Sequence, residues 1–74
     1  LGALRFMPSK IEFIEDYMAS LEHKDPGVRH FGCRSLGRLG SDAIAALPKL
    51  KKARSDKYRL VRDEAKKAIQ RIED

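Results

Sequence analysis

The sequence predicts an all-α fold, a right-handed solenoid of about two helical repeats, on three observations. Counting from Val28, the residues Gly32, Ser35, Leu36 and Leu39 fall at +4, +7, +8 and +11, which is one face of an α-helix. That stripe returns 33 residues later as Val61, Ala65, Ala68, Ile69 and Ile72, with Arg29 and Arg62 following the two valines in the same register. Self-similarity at such a period marks a repeat architecture. Strand-like alternation is absent, while helix-start and helix-stop residues punctuate the chain.

The elements follow in order. Leu1 to Met7 reads as the end of an earlier helix, because Leu1-Gly2-Ala3-Leu4 echoes Leu36-Gly37-Arg38-Leu39. A helix near 9–22 starts at Ser9, which has capping-box spacing to Glu12, and buries Ile11, Ile14, Tyr17, Met18 and Leu21. Asp25 caps the next helix, near 26–39, with Pro26 at the first position, where its missing N–H costs nothing. Gly40 closes that helix at the usual site of a left-handed residue. In its stripe Gly32 is expected to face inward, and Gly37 nearly the opposite way. A segment near 43–54 turns Ile44, Leu47 and Leu50 inward. Its Pro48 forces a kink, or an irregular first turn with the regular helix beginning near Leu47. The last helix is expected near 59–73.

The residues Asp25-Pro26-Gly27-Val28-Arg29, followed by Ser35-Leu36-Gly37-Arg38-Leu39-Gly40, resemble the first helix of a HEAT-like repeat of the phycobilisome-lyase type. Ala43-Ile44-Ala45-Ala46-Leu47-Pro48-Lys49-Leu50 resembles that family's second helix, internal proline included, and Val61 to Ile69 reads as the next first helix. The resemblance covers roughly residues 23 to 73. Two departures stand out: Phe31 where a small residue is common, and a turn from Asp56 to Val61 longer than that from Asp25 to Val28. The resemblance implies Asp/Arg ties between adjacent repeats, here through Asp25, Arg29 and Arg62, and second helices that line a concave face.

With 74 residues the chain is one domain, 1–74, and its modest core leaves stability marginal without neighbouring repeats or a partner. No run of about 18 apolar residues exists, so no helical membrane span is expected. The single Cys33 excludes an internal disulfide and a cysteine-based zinc site, and a reducing, cytoplasmic setting is the default. The net charge of +5 is uneven: residues 1–37 balance to zero, and the whole excess lies in 38–74. Such asymmetry suits an acidic partner or nucleic acid, although solvated helix faces account for it more simply.

Candidate chemistry is sparse. His23 and His30 are the only imidazoles, and Glu22-His23 does not recur as a metal-binding pair would across repeats. Cys33 with His30 three residues earlier imitates a nucleophile and base, yet a small buried thiol is the commoner role and no third group orients the histidine. No catalytic residue, metal or cofactor is therefore expected. Arg29 and Arg62 read as structural ties rather than anion binders.

The exposed residues of the second helices carry the functional expectation. Glu12, Asp16 and Ala19 stand 33 before Ala45, Lys49 and Lys52, so Asp16 is expected beside Lys49. A non-catalytic protein-binding scaffold follows, with Glu12, Asp16, Lys49 and Lys52 as contacts and Glu15 and Lys51 at the margin. The alternative is a nucleic-acid-binding module using Lys49, Lys51, Lys52, Arg54, Lys57 and Arg59, and a third reading, by resemblance alone, is an accessory domain of a lyase-like enzyme. The ends are read as unlike. Glu64, Lys66 and Gln70 replace Phe31, Cys33 and Gly37, as in a capping repeat. Leu1, Leu4, Phe6, Phe13 and Tyr17 crowd the other end, where self-association is expected. The chain opens without Met, so it is expected to be the C-terminal part of a longer array.

Overall fold

The computed structural model describes residues 13–74. Every regular element among them is helical: α1 (Ile14–Ser20), α2 (Pro26–Leu39), a 3-10 segment (Gly40–Ala46), α3 (Leu47–Ala53) and α4 (Arg59–Glu73). α1 and α3 have seven residues each, too short to persist alone in water, so packing holds them. Ser9, Ile11 and Glu12 lie outside the described residues, as do Leu1, Leu4 and Phe6 of the apolar end. At the other end of α1 the expectation of helix to residue 22 is corrected. The helix stops at Ser20, and Leu21 and Glu22 donate to Met18 and Ala19 carbonyls in a tightened final turn.

α2 starts as its residues dictate. The Asp25 carboxylate accepts the Gly27 N–H at 2.8 Å, and Pro26 occupies the first turn. It ends at Gly40, which adopts φ +61°, a conformation only glycine reaches without strain. The chain then winds as a 3-10 segment through Ala46, and α-helix resumes at Leu47, one residue before Pro48. Placed there, the proline ring needs no donor and displaces no helical turn. The segment expected near 43–54 thus has the irregular start expected from Pro48, with regular helix beginning at Leu47. A 3-10 turn holds three residues rather than 3.6, so it shifts which side chains face inward. Ala43 and Ala46 are fully buried, whereas Ile44, expected inside, is 57 % exposed.

The helices form two layers, α2 and α4 against α1, the 3-10 segment and α3. α2 and α4 run in the same direction: Arg29 meets Asp56, His30 meets Glu64, and Gly37 meets Ala68. Leu36, Leu50, Val61, Ala65 and Ala68 fill the space between layers, with Leu21, Cys33, Ile69 and Ile72. Burying a Leu or Val side chain contributes about 1.5–3 kcal/mol, so these few positions carry much of the fold.

The position of Gly37 corrects the outward reading. A Cβ on Gly37 would stand 3.0 Å from Ala68 Cα and 3.1 Å from Ala68 Cβ. One on Gly32 would stand 3.0 Å from Ser20 Cβ and 3.0 Å from the Tyr17 carbonyl oxygen. α2 is therefore gripped on two sides, by α1 at Gly32 and by α4 at Gly37. The wheel that placed Gly37 outside allowed the helix only one neighbour.

Candidate functional site

A junction between the α1–α2 and α3–α4 connections is built on Arg29. Its Nε and Nη2 donate to Asp56 Oδ2 and Oδ1 at 2.7 and 3.1 Å, and its Nη1 donates to the carbonyls of His23 and Lys24 at 2.8 and 3.0 Å. The guanidinium also lies 5.7 Å from the Tyr58 ring centroid. One side chain so links the α1–α2 connection, α2 and the α3–α4 connection. The tie expected to involve Asp25 is corrected in its partner. Asp25 is committed to its cap, and the carboxylate that Arg29 takes is 27 residues on.

Asp56 is held in turn. Its Oδ1 accepts the Tyr58 N–H at 2.9 Å, and its carbonyl accepts Arg62 Nη1 at 2.9 Å. Arg62 thus grips the carbonyl six residues before it, as Arg29 grips that of His23. Hydrogen bonding to Arg29 holds the Asp56 carboxyl below the usual aspartate range, against a smaller opposing effect of burial. The two side chains are 12 % and 10 % exposed.

The contact residues expected on the second helices fall in three places. Lys49 and Lys52 line a groove with Leu21, Glu22 and Asp56, between the end of α1 and α3. Lys49 Nζ donates to Glu22 Oε2 at 2.7 Å, so the expected Asp16–Lys49 neighbour is corrected to Glu22. α1 and α3 keep the 33-residue register, Ile14–Ser20 against Leu47–Ala53, and Lys49 reaches past the end of α1 to Glu22. Hydrogen bonding and charge from Lys49 hold the Glu22 carboxyl below its ordinary value. Lys51 turns elsewhere, to Glu73 of α4 at 3.5 Å, while Glu15 and Asp16 stand exposed on α1. Glu12 lies outside the described residues.

Of the six cations in the nucleic-acid alternative, Lys49, Lys51 and Arg59 are paired, with Glu22, Glu73 and Asp63. A different basic group, missed in the sequence, lines a groove between α2 and α4: Arg34, Arg38, Lys67 and Arg71, around Glu64. The signal was present, since each cation of one helix has its counterpart 33 residues later.

Cys33 is fully buried, and burial pushes its thiol up to about 12, so it stays protonated at neutral pH. Among the described residues no three His, Cys, Asp or Glu side chains gather as metal ligands, and no helix is long and apolar enough to cross a membrane. A family model described as HEAT repeats matches residues 1–70. No curated protein and no solved structure matches the chain.

Proposed function

We propose, for a chain that belongs to the HEAT-repeat family, a non-catalytic protein-binding role in which the groove between α1 and α3 is the contact surface. HEAT repeats commonly mediate protein–protein interaction, and the observation that carries the reading here is the build of this groove. Glu22, Lys49 and Lys52 present charges of both signs around Leu21 and Ala53, on helices fixed to each other by the Arg29–Asp56 junction. A rigid surface loses little freedom on binding. Glu15 and Asp16, exposed on α1, extend it in this reading, while Lys51 is turned to Glu73 and takes no part. The two helical repeats form a right-handed solenoid of the phycobilisome-lyase subtype in this reading. Asp25-Pro26-Gly27-Val28-Arg29 supports that subtype.

The test is capture of partners on the immobilised chain from an extract, run with and without nuclease treatment. Wild type retains a protein that the Lys49→Glu, Lys52→Glu double variant loses, with both chains melting at the same temperature. Retention only of nuclease-sensitive material would overturn the protein-binding role in favour of nucleic acid.

A further inference from the structure

Arg34 and Arg38 on α2, and Lys67 and Arg71 on α4, are all exposed and line one shallow groove on the layer away from α3. Within each helix the two cations are four residues apart, about 6 Å along the axis. The helices are parallel and touch through Gly37 and Ala68, so their axes fall at the close end of the usual 8–10 Å or so. The four side chains therefore spring from the corners of a small rectangle on the two helices. None of the four has an ion-pair partner among the described residues. Glu64 is the one carboxylate in the lining, and its Oε1 already lies 3.3 Å from His30 Nε2.

Helix macrodipoles account for Arg38 and Arg71, which sit in the last turns of α2 and α4. They do not account for Arg34 and Lys67, one turn earlier. Like charges four apart on a helix destabilise it, and here two such pairs are drawn together by a glycine–alanine contact. An anionic group laid along the groove would relieve that repulsion.

We infer that this groove docks an acidic helical segment of a partner protein, one with carboxylates four residues apart. An acidic helix repeats its carboxylates at the same roughly 6 Å as the cations facing it. The furrow between two parallel helices accepts a third by ridge-and-groove packing. Three of the four cations are arginines, whose planar forks match carboxylates two bonds at a time. No aromatic side chain lines the groove, so it lacks the stacking platform that single-stranded nucleic acid uses. This surface shares no lining residue with the α1–α3 groove, so its test stands apart from the proposal made there.

The experiment is fluorescence anisotropy of the 74-residue chain with a labelled 20-residue peptide of helical sequence bearing Glu at i, i+4, i+7 and i+11. A second peptide has the same composition with its Glu spread around the helix, and a 20-nucleotide single strand and its duplex complete the set. The expected result is saturable binding of the first peptide, roughly tenfold tighter than the second. Arg34→Glu with Arg38→Glu lowers it about tenfold or more, while Arg54→Glu with Lys57→Glu, outside both grooves, leaves it unchanged. Three results would overturn the inference: equal binding of both peptides, no effect of the Arg34 and Arg38 changes, or nucleic acid bound more tightly than the striped peptide and released by those same changes. The four residues are exposed, so a matching thermal melt shows that each variant is folded.

Discussion

The close approach of α2 and α4 makes Gly37→Ala a sharp test, because two effects of opposite sign meet there. In an exposed helix interior, alanine is about 1 kcal/mol better than glycine. At Gly37 the new methyl would stand 3.0 Å from Ala68 Cα and 3.1 Å from Ala68 Cβ, where ordinary carbon contacts are near 3.5–4.0 Å. Ala68 Cα is backbone in a 15-residue helix, so relief requires α4 to move as a body by about half an ångström. Overpacking of this kind costs about 1–3 kcal/mol. The net expectation is a loss of about 0–2 kcal/mol, at about 4–8 °C in Tm per kcal/mol for a domain of this size. The assay is a circular-dichroism melt at 222 nm, with urea unfolding as a check. Ala68→Gly in the Gly37→Ala background restores only part of the loss, since the contact with the Cα remains. A Gly37→Ala chain more stable than wild type would refute the close contact. Gly37→Leu is expected to be as damaging as Gly32→Leu, because both faces of α2 are covered.

Three further outcomes follow from the core and the junction. Leu50→Ala, at a fully buried position between layers, is expected to lose about 2–5 kcal/mol and to leave much of this small domain unfolded at 37 °C by circular dichroism. Cys33 is expected to resist Ellman's reagent at pH 8 in the native chain and to react fully in denaturant; fast native labelling would contradict its burial. Asp56 has its carboxyl lowered in the folded state, so its contribution is fully present above the ordinary aspartate pKa of about 4 and fades as pH falls through the lower folded value. Melts between pH 7 and pH 2 are therefore expected to show an acid loss of Tm that shrinks in Asp56→Asn; an undiminished loss would assign it to other carboxylates.

Local chemistry was the most legible part of the sequence. Asp25-Pro26 announced a helix start and Gly40 a left-handed stop, because caps depend on residues only a turn away. Pro48 announced an irregular turn before Leu47 for the same reason. What the sequence concealed was phase and partnership. Ile44 seemed apolar enough to bury, but the 3-10 winding around it turns Ala43 and Ala46 inward instead. Lys49 was matched with its 33-residue counterpart Asp16, whereas the carboxylate it takes is Glu22, past the end of α1. Arg29 was matched with the carboxylate four residues away, since sequence shows near neighbours better than distant ones. Asp56 became visible only when the α3–α4 connection was seen folded back on α2. Arg34, Arg38, Lys67 and Arg71 were legible in principle through the 33-residue spacing. Exposed cations form no apolar stripe, so only the parallel packing of α2 and α4 shows them as one group.

The Arg29–Asp56 pair also has a mechanical consequence. Adjacent rungs that met only through alanine and leucine would slide easily, since apolar side chains lose little when displaced along a neighbour. Two parallel N–H···O bonds behave otherwise: a shift of an ångström lengthens both at once and bends them out of line. Arg29 is anchored behind by the His23 and Lys24 carbonyls, so the load passes into the preceding connection rather than into a free side chain. Shear between α2 and α4 therefore meets a stiff latch at one end and smooth contact at Gly37 and Ala68 toward the other. A pull on this protein would make the rungs pivot about Arg29 before they slipped.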